Sequence, residues 1–106
     1  MITELVLFDL PEGMTREEVL AGMRESVPRW RECPDLIRKN FLYDAQARQA
    51  GGAYLWPDRA AAQRWHDEAW HRRIFQLYGS VPVIRYFDTP LVADNVLNET
   101  IEEAMA

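Results

Sequence analysis

One cysteine, Cys33, stands among 106 residues, so no internal disulfide can form. No histidine lies near it in sequence to activate the thiol, and Cys33 reads as a small core or loop residue ahead of a nucleophile. Long apolar runs are missing as well, and none approaches the roughly 20 residues that a membrane-spanning helix needs. The start, Ile2-Thr3-Glu4, places no basic stretch before an apolar one, so no secretory leader is expected. Basic charge is in short supply, with 12 Lys and Arg against 17 Asp and Glu and a net charge of −5. An acidic chain without a basic stripe repels phosphate backbones, which argues against a nucleic-acid partner. Repeats, low-complexity tracts and long linkers are absent too, which leaves one domain over residues 1–106. Together these absences favour a cytoplasmic protein with no membrane partner.

What is present is globular in balance: 48% of the residues are hydrophobic and 27% charged. Leu5-Val6-Leu7-Phe8 is apolar at both parities, as in a strand covered on both faces, and Pro11-Glu12-Gly13 turns the chain after it. Thr15 and Glu18 then form a capping box, with Met14 and Val19 placed as a hydrophobic staple. Val19, Leu20, Met23 and Val27 follow at helical spacing, and Pro28 is expected to end or kink that helix. Leu36 to Tyr43 reads as a second strand, Asp44 to Gln49 as a hairpin connection, and Gly51-Gly52-Ala53-Tyr54-Leu55-Trp56 as a third strand. Glycines there predict a bulge or a close backbone approach. Asp58 caps a second helix running through Ala61, Ala62, Trp65, Ala69, Trp70 and Ile74. Its apolar stripe drifts, which predicts a break near Asp67-Glu68, and Gly79 suits its end. Val81 to Phe87 is the last strand, with Pro82 marking its start or an edge. Residues 90–106 form an apolar tail, with Leu91, Val92, Val96, Leu97, Ile101 and Met105 able to dock on something. The acidic end, Glu99 to Glu103, reads as a solvated helix face or a frayed tail.

The order β-α-β-β-α-β predicts an α+β, ferredoxin-like fold, a four-stranded antiparallel sheet with its helices on one face. The first and last strands look apolar on both faces, and the chain has no further long helix to cover the second one. A second copy stacking sheet on sheet solves this, so the expected partner is the chain itself, as a homodimer.

The stretch Pro34-Asp35-Leu36-Ile37-Arg38-Lys39-Asn40-Phe41-Leu42 resembles the second strand of the YdhR-like monooxygenase family. Gly51 to Trp56 with the alanine-bearing helix after it, then Trp70, Tyr78-Gly79, Pro82, Tyr86-Phe87-Asp88 and Pro90 to Asn95 continue the resemblance over nearly the whole chain. Asp35 stands where the family's pattern has a glycine, a change that left-handed backbone tolerates. The resemblance implies a dimeric α+β barrel and an oxygenase that needs no cofactor, neither metal, flavin nor haem. Lys39, Tyr54 and Trp56 are the pattern positions it carries over. Haem-degrading relatives in the same superfamily pair an Asn, a Trp and a His. Trp65 matches their tryptophan, but Phe75 falls near their histidine and the first strand offers Asp9 and no Asn.

The candidate chemistry rests on few residues. His66 and His71 are the only histidines, and five positions apart they point about 140° from each other on a helix. That is not the i, i+4 spacing of a zinc pair, so no metal site is expected. Each reads either as a solvated helix-face residue or as a general base. Arg38, Lys39 and Asn40 lie within a strand and are candidates to hold a substrate anion, against the plainer reading of an interface salt bridge or a snorkelling edge residue. Tyr43, Tyr54, Trp56, Trp65 and Trp70 read either as core or as aromatic walls, with Gly52, Ala53, Ala61, Ala62 and Ala69 able to leave a slot for a flat ligand. The leading expectation is a cofactor-independent monooxygenase acting on a small electron-rich aromatic molecule such as a quinol or polyphenol. The rivals are a small-ligand binding protein without turnover and an isomerase of the muconolactone type.

Overall fold

A computed structural model of the chain describes residues 1–103. The elements run β1 (Ile2–Asp9), α1 (Arg16–Arg31), β2 (Arg38–Asp44), β3 (Gln49–Trp56), α2 (Arg59–Trp65), α3 (Glu68–Tyr78), β4 (Val83–Asp88), β5 (Leu91–Asp94) and β6 (Glu99–Glu102). The first four strands make one antiparallel sheet in the order β2-β3-β1-β4, and β5 pairs with β6 as a separate hairpin. This is the α+β, ferredoxin-like arrangement with the two longest strands, β1 and β3, at its centre. Among the described residues no helix is long and apolar enough to cross a membrane.

Local chemistry accounts for the helix boundaries. Thr15 caps α1 by accepting from the Glu18 amide at 3.2 Å, Asp58 caps α2 at Ala61, and Asp67 caps α3 at Trp70. The cap at Asp67 is the reason for the expected break, since it starts a new helix one residue after His66 closes α2. Gly79 ends α3 at φ +68, a left-handed conformation that glycine adopts without a Cβ penalty. Pro28 does not end α1 where expected: the helix continues to Arg31, and Pro28 sits inside its last turn. The Pro28 carbonyl accepts from the Glu32 amide at 3.0 Å, while proline's lack of an amide proton removes the intrahelical donor to the Arg24 carbonyl. Trp30 lies within this last turn and is buried.

The acidic end is likewise not helical. Glu99–Glu102 is β6, and the tail is a hairpin whose turn is built around Asp94, which accepts from the Val96 and Leu97 amides. The β2–β3 turn is built in the same way around Asp44, and each has a left-handed residue just before the returning strand, Arg48 in one and Asn98 in the other. The hairpin is held to the sheet by Arg38–Asp94 at 3.0 Å and by the N-terminal amine on Glu103. Met105 of the apolar tail lies outside the described residues.

Register divides the sheet into two faces. Glu4, Val6 and Phe8 of β1 share one with Ala50, Gly52, Tyr54 and Trp56 of β3, with Lys39, Phe41 and Tyr43 of β2, and with Ile84 and Tyr86 of β4. This face meets the helices, and the core forms there around Val6, Val19, Trp30, Tyr54, Trp56, Trp70 and Ile74. The opposite face carries Leu5, Leu7, Leu55, Val83 and Phe87 beside Arg38, Asn40 and Arg85. Val83 and Phe87 are 67% and 41% exposed. Gly51 lies where β3 presses on β1: a Cβ there would come within 1.8 Å of the Val6 carbonyl oxygen, which is the close approach that the paired glycines predicted.

Candidate functional site

Between the helix layer and the sheet lies a cleft of about 550 Å³. Its floor is Phe8, Lys39, Phe41, Ala50 and Tyr54 from the strands, and its walls are Trp30 and Met23 from α1 with Trp70 and Ile74 from α3. Glu18, Glu25 and Arg73 stand exposed among its lining residues. A concave, largely apolar site with few polar groups is what a small flat ligand requires.

Lys39 is the polar group of the floor. Its ammonium lies 3.9 Å from the Phe41 ring centroid, 4.5 Å from Tyr54 and 4.6 Å from Trp30. Burial among these rings pushes the Lys39 pKa down to about 7, against the opposing pull of the Glu4 charge. The ring faces also favour the cation, so both forms of the amine are accessible near neutral pH. Gly52 makes the space for this arrangement. A Cβ at Gly52 would lie 2.8 Å from Lys39 Cε and 2.9 Å from Tyr54 Cε1. The space beside Gly52 is taken by the lysine stem and the tyrosine ring, not left as a slot for a ligand. Tyr54 is buried, and burial together with the charge of Glu4 raises its pKa well above the ordinary value of 10.0, so it stays a hydroxyl donor.

Behind the cleft sits a second polar cluster, sealed from it. Glu4, near the start of β1, is fully buried, and Trp56 donates to its Oε1 at 2.9 Å. His66 is buried too, with Nδ1 2.6 Å from the same oxygen. That approach is poorly aligned for a hydrogen bond, and His66 Nδ1, Nε2 and Glu4 Oε2 have no hydrogen-bond partner. The His66 ring instead packs among Trp70, Tyr54, Trp30 and Trp56, with centroids 4.2 to 6.0 Å away. This cluster ties β1, β3 and the α2–α3 junction together beneath the cleft.

The structure brings Lys39, Tyr54 and Trp70 together in the cleft, with Tyr43 on the same sheet face as Lys39. It does not bring Arg38 or Asn40 there. Both alternate with Lys39 along β2 and lie on the opposite face, where Arg38 pairs with Asp94. Trp56 is fully buried beside Glu4, and Trp65 donates to Asp35 at 2.9 Å. His66 is enclosed rather than solvated, and His71 lies against Trp70 and lines a shallow groove with Phe75, Val81 and Pro82. Cys33 is buried, as its small size suggested, and burial raises its thiol pKa. Glu4 and Trp30 are the residues that sequence reasoning missed. Lys39, which the sequence did offer as a candidate, is also the only lysine in the chain, the other eleven Lys and Arg side chains being arginine.

Neither the comparison with protein-family models nor that with curated proteins gives a match. Solved structures do. One described as an antibiotic biosynthesis monooxygenase superposes with a TM-score of 0.63 at 20% identity, over 84% of this chain and 98% of that one. Rv0793 from Mycobacterium tuberculosis superposes at 0.60 and 9% identity, over 84% and 95%. The chain thus spans these neighbours almost end to end, and at such identities the likeness is one of fold.

Proposed function

We propose that the chain is a monooxygenase acting on a small electron-rich aromatic molecule of the quinol or polyphenol type, without a bound cofactor. The observation that carries this reading is Lys39, a titratable amine set among three ring faces on the floor of an apolar cleft. In its neutral form the amine takes the phenolic proton, and the ammonium so formed holds the phenolate, whose charge is otherwise costly to bury. The rings stack and orient the substrate and keep water away, and the anion gives an electron to molecular oxygen. Lys39 takes the base's role here because His66 is closed off from the cleft and His71 lies outside it. The fold shared with a monooxygenase supports the same reading by analogy.

The functional unit in this proposal is a homodimer. A second copy covers the sheet face that carries Leu5, Leu7, Val83 and Phe87, while the exposed hairpin residues Leu91, Val96 and Leu97 extend the apolar surface. Oxygen-electrode assays with a panel of quinols, run with chelator present, test the activity. Oxygen uptake that depends on Lys39 is expected. Tight aromatic binding without uptake would favour a binding protein, and product formed without oxygen would favour an isomerase.

A further inference from the structure

The lysine in the cleft has a second chemistry open to it. Eleven of the twelve Lys and Arg side chains are arginines, which do not deprotonate in proteins; Arg29 and Arg73 line the cleft with the single lysine, so Lys39 is the side-chain amine there that can become neutral. A neutral primary amine is a nucleophile toward carbonyl carbon, and desolvation in an apolar pocket is a recognised way to activate it. The surroundings define the partner. Phe41, Tyr54 and Trp30 present ring faces 3.9 to 4.6 Å from Nζ, and Trp70 lines the same cleft, so an aromatic ring fits beside the amine. Gly52 leaves room for the Lys39 stem against the strand, and the amine lies over the rings.

We propose that Lys39 forms an imine with a flat aromatic aldehyde held in this cleft. The amine nitrogen attacks the carbonyl carbon, a C–N bond forms, and the carbonyl π pair moves to oxygen. A proton passes from nitrogen to that oxygen to give the carbinolamine. The nitrogen lone pair then closes the C=N bond as the hydroxyl leaves with a proton as water. No oxidant or reductant takes part. Burial keeps the Tyr54 hydroxyl protonated, and its ring centroid lies 4.5 Å from Nζ.

The test uses the full chain, benzaldehyde and sodium cyanoborohydride, which reduces an imine to a stable benzylamine. It runs without oxygen, so it is independent of any oxygenase activity. Peptide mapping then separates Lys39 from the N-terminus, the only other primary amine. The expected result is benzylation of Lys39 that saturates with benzaldehyde concentration and rises with pH through a midpoint near neutrality. At pH 7 it should run on the order of 100-fold faster than in the chain unfolded in guanidinium, where the lysine amine is almost wholly protonated. Lys39→Arg should leave only N-terminal labelling that rises linearly with benzaldehyde. Labelling of Lys39 that is linear in benzaldehyde, that has its midpoint near 10, or that is no faster than in the unfolded chain would overturn the proposal, as would labelling confined to the N-terminus of the parent protein.

Discussion

Keeping Lys39 among three rings should make the fold more stable in mild alkali than at neutrality. Burial lowers its pKa from 10.5 to about 7. Between these values the unfolded chain holds the proton and the folded chain has released it, so stability rises with pH across that window. The slope limit is about 1.4 kcal/mol per pH unit for one group, so about 2 kcal/mol should be gained from pH 7 to pH 9. Cation–π attraction from the three rings acts the other way and sets that figure below the limit. Above pH 9 the sign reverses for other groups, because burial raises the Cys33 and Tyr54 pKa values and unfolding then releases protons. The window to measure is therefore pH 7 to 9. Lys39→Met fills the same space with an apolar, flexible chain. It should remove this slope and make the protein more stable than the parent at pH 6.5, by roughly 2–4 kcal/mol. Urea melts followed by tryptophan fluorescence, at one protein concentration so that association does not intrude, give both numbers. Parent and mutant curves that keep the same separation from pH 6.5 to 9 would refute the reasoning.

Other substitutions test the rest of the structure. Thr15→Ala should cost about 1 kcal/mol through loss of the α1 cap, and superimposable urea melts would show that Thr15 does not serve as one. Trp56→Phe keeps a ring but leaves Glu4 Oε1 without its indole donor, so it should cost roughly 2–3 kcal/mol, read from the same melts. Gly52→Ala should displace the Lys39 stem or the Tyr54 ring at a cost of about 1–3 kcal/mol, and calorimetry should show a lowered Tm. Sedimentation equilibrium near neutral pH should report a dimer, and Val83→Asp on the open sheet face should shift it toward monomer.

The fold was legible because its signals are local. The Thr15 and Asp58 caps, the drift of the apolar stripe before Asp67-Glu68 and Gly79 each act within a few residues, and each marks a boundary the structure keeps. Pro28 misled because the helix bears the loss of one amide donor and runs on to Arg31, its last turn packed on the core through buried Trp30. The acidic run at Glu99 to Glu103 misled because its pairing with β5 depends on the Asp94 turn rather than on composition. The site was half legible. Strand alternation put Lys39 on the face of Phe41 and Tyr43, apart from Arg38 and Asn40, but nothing in the pattern said which face meets the helices. Glu4 was invisible because an acidic residue at the start of an apolar strand reads as solvated. Its burial depends on the Trp56 indole and the His66 ring, which arrive from positions 52 and 62 residues away.

The central claim is that the Lys39 cleft is where the substrate binds and reacts. Because the chain has one lysine, labelling with ¹³C- and ¹⁵N-lysine gives a single side-chain NMR signal that reports the site directly. That signal should titrate near pH 7, and it should shift when a quinol that the protein oxidises is added. A lysine that titrates near its ordinary value of 10.5, or whose signal stays still while the quinol is consumed, would contradict the account.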